Sequence, residues 1–208
     1  MTVRPFGDRA FLIELEQRID PAIVDHGRVI ADEWERRGLG DAIPAYASVV
    51  VSFDPARTSW REAAAAARSV AAASPAATSE IAGRTIEIPT VYDGPDLPDT
   101  AARSGMSVDE LVALHCGRTY RAFFLGFMPG LAYCGMLDPR IDAPRLDAPR
   151  PHVAAGCVGV ANGQTVVYPV DSPGGWRLIG RTELEMFDPG RDPPALVRAG
   201  DRVRFVAR

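Results

Sequence analysis

Residues 157–181 read Cys-Val-Gly-Val-Ala-Asn-Gly-Gln-Thr-Val-Val-Tyr-Pro-Val-Asp-Ser-Pro-Gly-Gly-Trp-Arg-Leu-Ile-Gly-Arg, and this stretch decides the fold of the second half of the chain. Its apolar runs are separated by segments rich in Gly and Pro, which is typical of short strands joined by turns. Similar runs lie on both sides of it. The predicted strands are 120–125, 157–161, 164–168, 176–180, 184–187 and 202–206. Closely spaced strands of this kind indicate a small β-barrel or sandwich.

The first part of the chain alternates strands with amphipathic helices. One helix is predicted to begin at Pro21, because Asp20 can cap it and proline is favoured at the first helical position. A capping box formed by Ser59 and Glu62 opens a second, Ala-rich helix. The predicted strands are 10–15, 42–46, 47–53 and 85–91. The order β-α-β-β-α-β is the split-βαβ, ferredoxin-like pattern.

We therefore predict an α+β chain with two domains, residues 1–84 and residues 85–208. The second domain begins with a turn-rich connector and a short helix at 97–103. A capping box at Ser107 then opens a helix whose apolar face carries His115.

The composition excludes several classes of function. The chain has 208 residues and a net charge of −4, so a basic nucleic-acid-binding face is not expected. Its 23 basic residues are all Arg, which rules out a P-loop lysine and a Schiff-base lysine. No apolar run approaches the length of a membrane span. Three cysteines without a signal peptide predict reduced thiols in a cytoplasmic protein.

The segment 124–133 combines glycine and proline with three aromatic residues. Gly126 and Gly130 allow the backbone to approach a ligand closely. The aromatic side chains of Phe124, Phe127 and Tyr133 could form the walls of a pocket. A tight turn with core aromatics explains the same residues equally simply.

Two Pro-Arg pairs follow, at 144–145 and 149–150. Proline restrains the chain just before each guanidinium, so Arg145 and Arg150 could clamp a carboxylate or a phosphate. The alternative is an ordinary solvated loop.

The third candidate segment lies within the stretch quoted first. Gly174-Gly175 could present successive backbone N–H groups as an anion-binding nest. Gln164, Tyr168 and Ser172 would add neutral hydrogen-bonding groups. A hairpin turn with a packed Trp176 is the alternative.

His115 is a candidate acid or base, although a histidine on an apolar helix face is more often a core residue. The three histidines have no metal-ligand spacing, and no metal site is predicted. No cysteine lies beside a base in the sequence, so no cysteine nucleophile is predicted.

Several motifs, in order, resemble the allophanate hydrolase subunit 1 family, also called Kip-inhibitor-like or the B-type subunit family of 5-oxoprolinase. The resemblance covers nearly the whole chain. It is carried by Phe124-Leu-Gly-Phe-x-Pro-Gly-x-Ala-Tyr, the two Pro-Arg pairs, Gly163-Gln-Thr-x-x-Tyr-Pro and Ser172-Pro-Gly-Gly-Trp-x-Leu-Ile-Gly-Arg-Thr. The chain departs from the family pattern at several positions. Among them, Cys157 replaces a serine, and Val166 replaces a glycine and adds bulk near the expected pocket.

The resemblance implies a cyclophilin-like barrel as the second domain. It also implies a subunit of an ATP-dependent 5-oxoprolinase, which opens the lactam of pyroglutamate with a subunit 2 (C-type) partner. One alternative is the carboxyltransferase half of a biotin-dependent urea carboxylase, and another is an inhibitor of a histidine kinase. The substrate would be a small amide or lactam, and activity of the isolated chain is left open.

The expected site residues follow from these motifs. The catalytic candidates are His115, Gln164 and Tyr168. The substrate-binding candidates are Arg145, Arg150, Ser172, Gly174, Gly175, Trp176 and Arg181.

Overall fold

The computed structural model describes residues 1–18, 20–73 and 83–208. The chain forms two compact units, Met1–Ile81 and Ala82–Arg208. Our predicted boundary lay after residue 84.

The first unit contains an antiparallel sheet of four strands in the spatial order β1-β2-β4-β3. Its strands are β1 (Thr2–Pro5), β2 (Ala10–Glu14), β3 (Ala42–Pro44) and β4 (Ser48–Ser52). In β2 and β4, buried and partly exposed residues alternate, so one face of the sheet is covered. The buried face contributes Phe11, Ile13, Val49 and Val51 to the core of this unit.

Two helices complete the first unit, α1 (Pro21–Arg36) and α2 (Trp60–Ala73). As predicted, Asp20 caps α1, and its carboxylate accepts a hydrogen bond from the N–H of Ala22 at 2.8 Å. Trp34 of α1 is fully buried, and its indole N–H donates to the carbonyl of Ser52 at 2.9 Å. These contacts attach α1 to the end of β4.

The ferredoxin-like prediction for residues 1–84 is not confirmed. It requires the strand after α2 to join the first sheet. That strand, β5 (Thr85–Thr90), instead pairs in parallel with a strand of the second unit. The short strand β1 takes the sheet edge beside β2.

The second unit contains a seven-stranded sheet in the order β12-β9-β10-β7-β6-β13-β5. Besides β5, its strands are β6 (Thr119–Leu125), β7 (Ala132–Gly135), β9 (Cys157–Ala161), β10 (Gln164–Val167), β12 (Arg177–Arg181) and β13 (Arg202–Ala207). A separate pair is formed by β8 (Arg150–Val153) and β11 (Ser172–Gly174). Val91 and Arg181 exchange two backbone hydrogen bonds, at 2.8 and 2.9 Å, across the two sheet edges. The sheet is thereby nearly closed into a barrel.

The stretch 157–181 supplies three strands of this sheet, β9, β10 and β12, which lie next to one another. Asn162 and Gly163 both have positive φ angles, 48° and 79°, which is the geometry of a tight hairpin between β9 and β10. Strand β12 then returns to pair with β9. The strand predicted at 184–187 is wrong: Phe187 forms only an isolated bridge to Ala195.

Helices α3 (Leu97–Arg103) and α4 (Val108–Cys116) precede the barrel strands. Both were predicted. Ser107 and Glu110 form the reciprocal capping box of α4, in which the Ser107 N–H donates to the Glu110 carboxylate at 2.7 Å. Among the described residues, no helix is both long and apolar enough to cross a bilayer.

The two faces of the hairpin enter different apolar clusters. Val158, Val160 and Val167 belong to the main core of the second unit. Val166 and Tyr168 belong to a smaller cluster that also contains Trp176 and Leu131. Alternation along the strands therefore provides a second apolar face, and the candidate site lies on it.

Candidate functional site

A pocket lies on the smaller cluster and is built from four segments of the second unit. Its lining is Phe127, Leu131, Tyr133, Arg145, Val166, Tyr168, Gly174, Gly175 and Trp176. The pocket therefore brings together all three segments that the sequence singled out. Five of the ten predicted site residues line it: Arg145, Tyr168, Gly174, Gly175 and Trp176.

Aromatic rings form its walls. The ring of Phe124 stacks on Tyr133 with centroids 4.6 Å apart, and Tyr133 meets Trp176 edge to face at 5.8 Å. Phe127 is 70% exposed and has a φ of 70°, a backbone region that bulky residues rarely adopt. The walls therefore offer flat apolar surface to a ligand, with one exposed ring at the edge.

Tyr168 forms the inner part of the pocket and is almost fully buried. Burial raises the pKa of Tyr168, although a backbone hydrogen bond from Trp176 and the charge of Arg145 oppose that rise. At neutral pH the phenol is therefore protonated. It suits the binding of a neutral polar group better than proton abstraction.

Gly174 is required next to this phenol. A Cβ atom at Gly174 would lie 2.4 Å from the hydroxyl oxygen of Tyr168, which is far inside van der Waals contact. Neither Gly174 nor Gly175 has a positive φ. An anion nest needs a left-handed residue in an αR-αL pair, so the predicted nest is not formed. The segment is instead the extended end of a strand that packs on Tyr168.

Arg145 lies at the mouth, and it is the only charged residue in the lining. Burial raises the pKa of Tyr133 as it does that of Tyr168, and in both cases the charge of Arg145 opposes the rise. The guanidinium is therefore within electrostatic range of both phenols.

Arg150 does not line the pocket. It donates to the Asp96 carboxylate at 2.6 Å and to the Trp176 carbonyl at 3.4 Å. The second oxygen of Asp96 accepts from the N–H of Leu178 at 2.6 Å. Arg145 and Arg150 therefore do not form the predicted clamp. Arg150 is used in an internal ion pair that supports the Trp176 segment.

Gln164 and Ser172 are buried beside the pocket strands. Gln164 pairs with Ala161 in the register, and Ala161 belongs to the same small cluster as Val166. The Nε2 atom of Gln164 and the Oγ atom of Ser172 are buried and have no hydrogen-bond partner among the described residues. A buried donor without a partner is costly, so these atoms mark places where a ligand or partner could be bound.

His115 lies away from the pocket, in the main core. Its Nδ1 atom is 2.6 Å from the hydroxyl of Tyr92, and its Nε2 atom is 3.0 Å from the hydroxyl of Thr165. The ring packs on Phe205 and Tyr120 at centroid distances of 4.4 and 5.3 Å. Burial lowers its pKa to about 3, so the ring is neutral. This placement fits a structural role better than the catalytic role that we predicted.

Arg181 also lies elsewhere. It forms an ion pair with Asp93 at 2.9 Å. The groove that it borders is lined by Pro89, Val91, Arg181, Thr182, Glu183, Leu184 and Arg208. Within residues 1–18, 20–73 and 83–208, no group of three or more acidic, His or Cys side chains is placed to hold a metal ion.

Two contributors were missed by the sequence reasoning. Leu131 lines the pocket, but its sequence context gives it no distinction from other core leucines. Asp96 neutralises Arg150 from 54 residues away. No local signal in the sequence connects it to Arg150.

The sequence and the fold of this chain are similar to those of known proteins. A family described as carboxyltransferase domain, subdomain C and D, matches residues 1–197. The B-type subunit of 5-oxoprolinase from Bacillus subtilis (strain 168) is 37% identical over 230 residues, which cover 99% of this chain and 94% of that protein.

Two solved structures are also similar. The crystal structure of TTHA0988 is 36% identical, with a TM-score of 0.83 over 96% of this chain. The urea carboxylase of Kluyveromyces lactis has a TM-score of 0.79 over 99% of this chain, and at 20% identity the likeness concerns the fold alone. The chain spans only 40% of the former protein chain and 21% of the latter.

Proposed function

Because this chain belongs to the carboxyltransferase domain, subdomain C and D, family and matches the B-type subunit of a 5-oxoprolinase over its full length, we propose that it has the same place in a 5-oxoprolinase. The enzyme would use ATP to open the lactam of pyroglutamate. The partner would be a C-type subunit, and the complex would work in the cytoplasm. The identity to the Bacillus subtilis protein carries this proposal.

The pocket supports the binding of a small ring. Flat aromatic walls suit a five-membered lactam, and the protonated phenol of Tyr168 suits its polar edge. The lining has no carboxylate or imidazole to act as a general base. The contribution of this chain is therefore to hold and orient the substrate.

The residues of this chain do not fit the triphosphate of ATP on their own. The sequence has no lysine, and the Gly174-Gly175 segment does not form a nest. We therefore assign nucleotide binding to the partner subunits. The cyclophilin-like character of the barrel and the activity of the isolated chain stay predictions.

Reconstitution tests the proposal. The purified chain, its genomically adjacent C-type homologue and an A-type subunit are mixed, and ATP hydrolysis is measured with and without pyroglutamate. We expect stimulation by pyroglutamate only when all three are present. Omission of this chain is the control. A fully assembled complex without pyroglutamate-dependent turnover would contradict the proposal.

A second candidate is the carboxyltransferase half of a biotin-dependent enzyme. The family description and the fold of the Kluyveromyces lactis urea carboxylase favour it. It predicts carboxyl transfer from carboxybiotin to an amide such as urea, measured with free biotin as acceptor in the reverse direction. No observation on the structure favours the inhibition of a histidine kinase, which stays a prediction.

A further inference from the structure

We infer that Arg145 is the residue that binds the carboxylate of the small cyclic substrate and so determines specificity for a lactam acid over a plain lactam. The inference rests on the proposed function, since it names the contact that the same pocket makes with its ligand. It assigns the anionic end of the substrate to the mouth of the pocket.

Arg145 is an uncommitted cation. Within residues 1–18, 20–73 and 83–208, its guanidinium has no hydrogen-bond or ion-pair partner. The lining contains no Asp or Glu to neutralise it. In a chain with a net charge of −4, a lone arginine above an aromatic pocket favours an anionic ligand.

The backbone on both sides of Arg145 is fixed. The carbonyl of Pro144 accepts a hydrogen bond from Arg177 Nε at 3.0 Å. The N–H of Leu146 donates to the carbonyl of Gly175, a pocket residue, at 2.8 Å. The bond to Gly175 ties the backbone at Arg145 to the pocket wall, so the loop that carries the guanidinium is positioned before any ligand binds.

The neighbouring arginines are already paired, which distinguishes Arg145 from them. Arg150 pairs with Asp96, Arg177 with Asp99, and Arg181 with Asp93. Replacement of one of these would remove an ion pair of the folded chain, whereas replacement of Arg145 breaks no ion pair among the described residues.

The chemistry of the mouth matches a carboxylate. One planar guanidinium can hold both oxygens of a carboxylate through two parallel N–H···O bonds. A triphosphate carries several charges and needs more donors than one arginine supplies. The rings of Tyr133 and Trp176 provide a flat surface for the remainder of the substrate.

The test uses the reconstituted complex with Arg145→Gln, Arg145→Lys and the control Arg103→Gln, a surface arginine paired with Asp142. We expect Arg145→Gln to raise KM for pyroglutamate roughly 10- to 100-fold, with KM for ATP and the thermal unfolding temperature unchanged. Inhibition by 2-pyrrolidinone, which is the lactam without the carboxylate, should not change. Arg145→Lys should recover part of the affinity, because lysine restores the charge but not the planar group that donates two parallel hydrogen bonds.

An unchanged KM for pyroglutamate, or a changed KM for ATP instead, would overturn the inference. If the wild-type complex has no pyroglutamate-dependent activity, the proposed function fails by itself. Binding is then measured on the full chain through its tryptophan fluorescence, to which Trp176 contributes together with Trp34 and Trp60. Quenching by pyroglutamate but not by 2-pyrrolidinone, abolished in Arg145→Gln, would still support the carboxylate contact, and equal quenching in both variants would refute it.

Discussion

The imidazole of His115 makes the stability of this protein depend on pH. Its pKa is lowered to about 3 in the folded chain because burial penalises the charged ring, whereas an unfolded histidine titrates near 6.5. The unfolded state therefore binds more protons than the folded state between these two values. Stability is fully present above pH 6.5 and is lost as pH falls, by about 2 kcal/mol at pH 5.

Denaturant unfolding at pH 7 and pH 5 measures this effect. The variant His115→Gln, which cannot titrate, should lose about 2 kcal/mol less than the wild type over that interval. His152 is the matched control, since it is exposed and 3.1 Å from the Asp171 carboxylate. The His152→Gln variant, measured in parallel, separates the contribution of the buried ring from that of the exposed His152–Asp171 pair. An unaltered dependence in His115→Gln would show that the ring is charged or solvated.

We expect a substitution of Gln164 to raise the stability of the chain and to lower the activity of the complex. Its buried Nε2 atom has no partner among the described residues, so the folded chain bears a desolvation cost. Gln164→Met should raise the free energy of unfolding by about 1 kcal/mol and reduce the activity of the complex.

The adjacent residue, Thr165, provides the control. Thr165→Val removes the partner of His115 Nε2 and should destabilise the chain by about 1–3 kcal/mol. A destabilised Gln164→Met chain would mean that the amide has a structural partner.

At the scale of the elements, the end of strand β11 packs against Tyr168 only because Gly174 has no side chain. A methyl group at Gly174 would collide with the Tyr168 hydroxyl, whereas one at Gly175 would lie 3.7 Å from Pro149, an ordinary contact. Gly174→Ala should therefore lower stability by about 1–3 kcal/mol or shift β11, and Gly175→Ala should change it by less than about 1 kcal/mol. Thermal unfolding compares the two variants. Equal effects would show that β11 moves freely.

The elements that the sequence predicted well are those fixed by local chemistry. Helix α1 follows from Asp20 and Pro21, and helix α4 follows from the Ser107–Glu110 capping box. The hairpin of β9 and β10 contains its own turn. The pair of β8 and β11 was missed because two short, separate segments must meet, and its register shifts between Ser172 and Gly174.

The pocket residues also divide into those that the local sequence indicates and those that depend on contacts between distant segments. Its aromatic, glycine and arginine residues were visible in the sequence because they are concentrated in three segments. Which arginine is free could not be read there, since Asp96 and Arg150 meet only in the folded chain. The sequence also does not show on which side of the sheet His115 lies. Its partner Thr165 points toward the core, whereas the next residue, Val166, points toward the pocket.

At the scale of the whole molecule, the strand β5 decides where the first unit ends. A ferredoxin-like first domain would need residues 85–91 as its last strand. In the structure, β5 pairs with β13 along six registered residues. Arg84 reinforces this pairing, because its N–H and guanidinium each lie 3.0 Å from the Asp201 carboxylate, and its carbonyl accepts from Arg202.

Fragments of the chain test this assignment. The fragment 82–208 retains β5 and should unfold cooperatively, whereas the fragment 92–208 leaves β13 as a bare apolar edge beside Val203 and Phe205 and should aggregate. In the first unit, fragments 1–81 and 1–91 should have the same free energy of unfolding, because the four-stranded sheet is complete without β5. If 1–91 were clearly more stable than 1–81, β5 would belong to the first sheet. Since Arg181 of β12 also bonds to Val91, the loss of β5 would open the barrel on the side where Arg150 and Asp96 support the pocket.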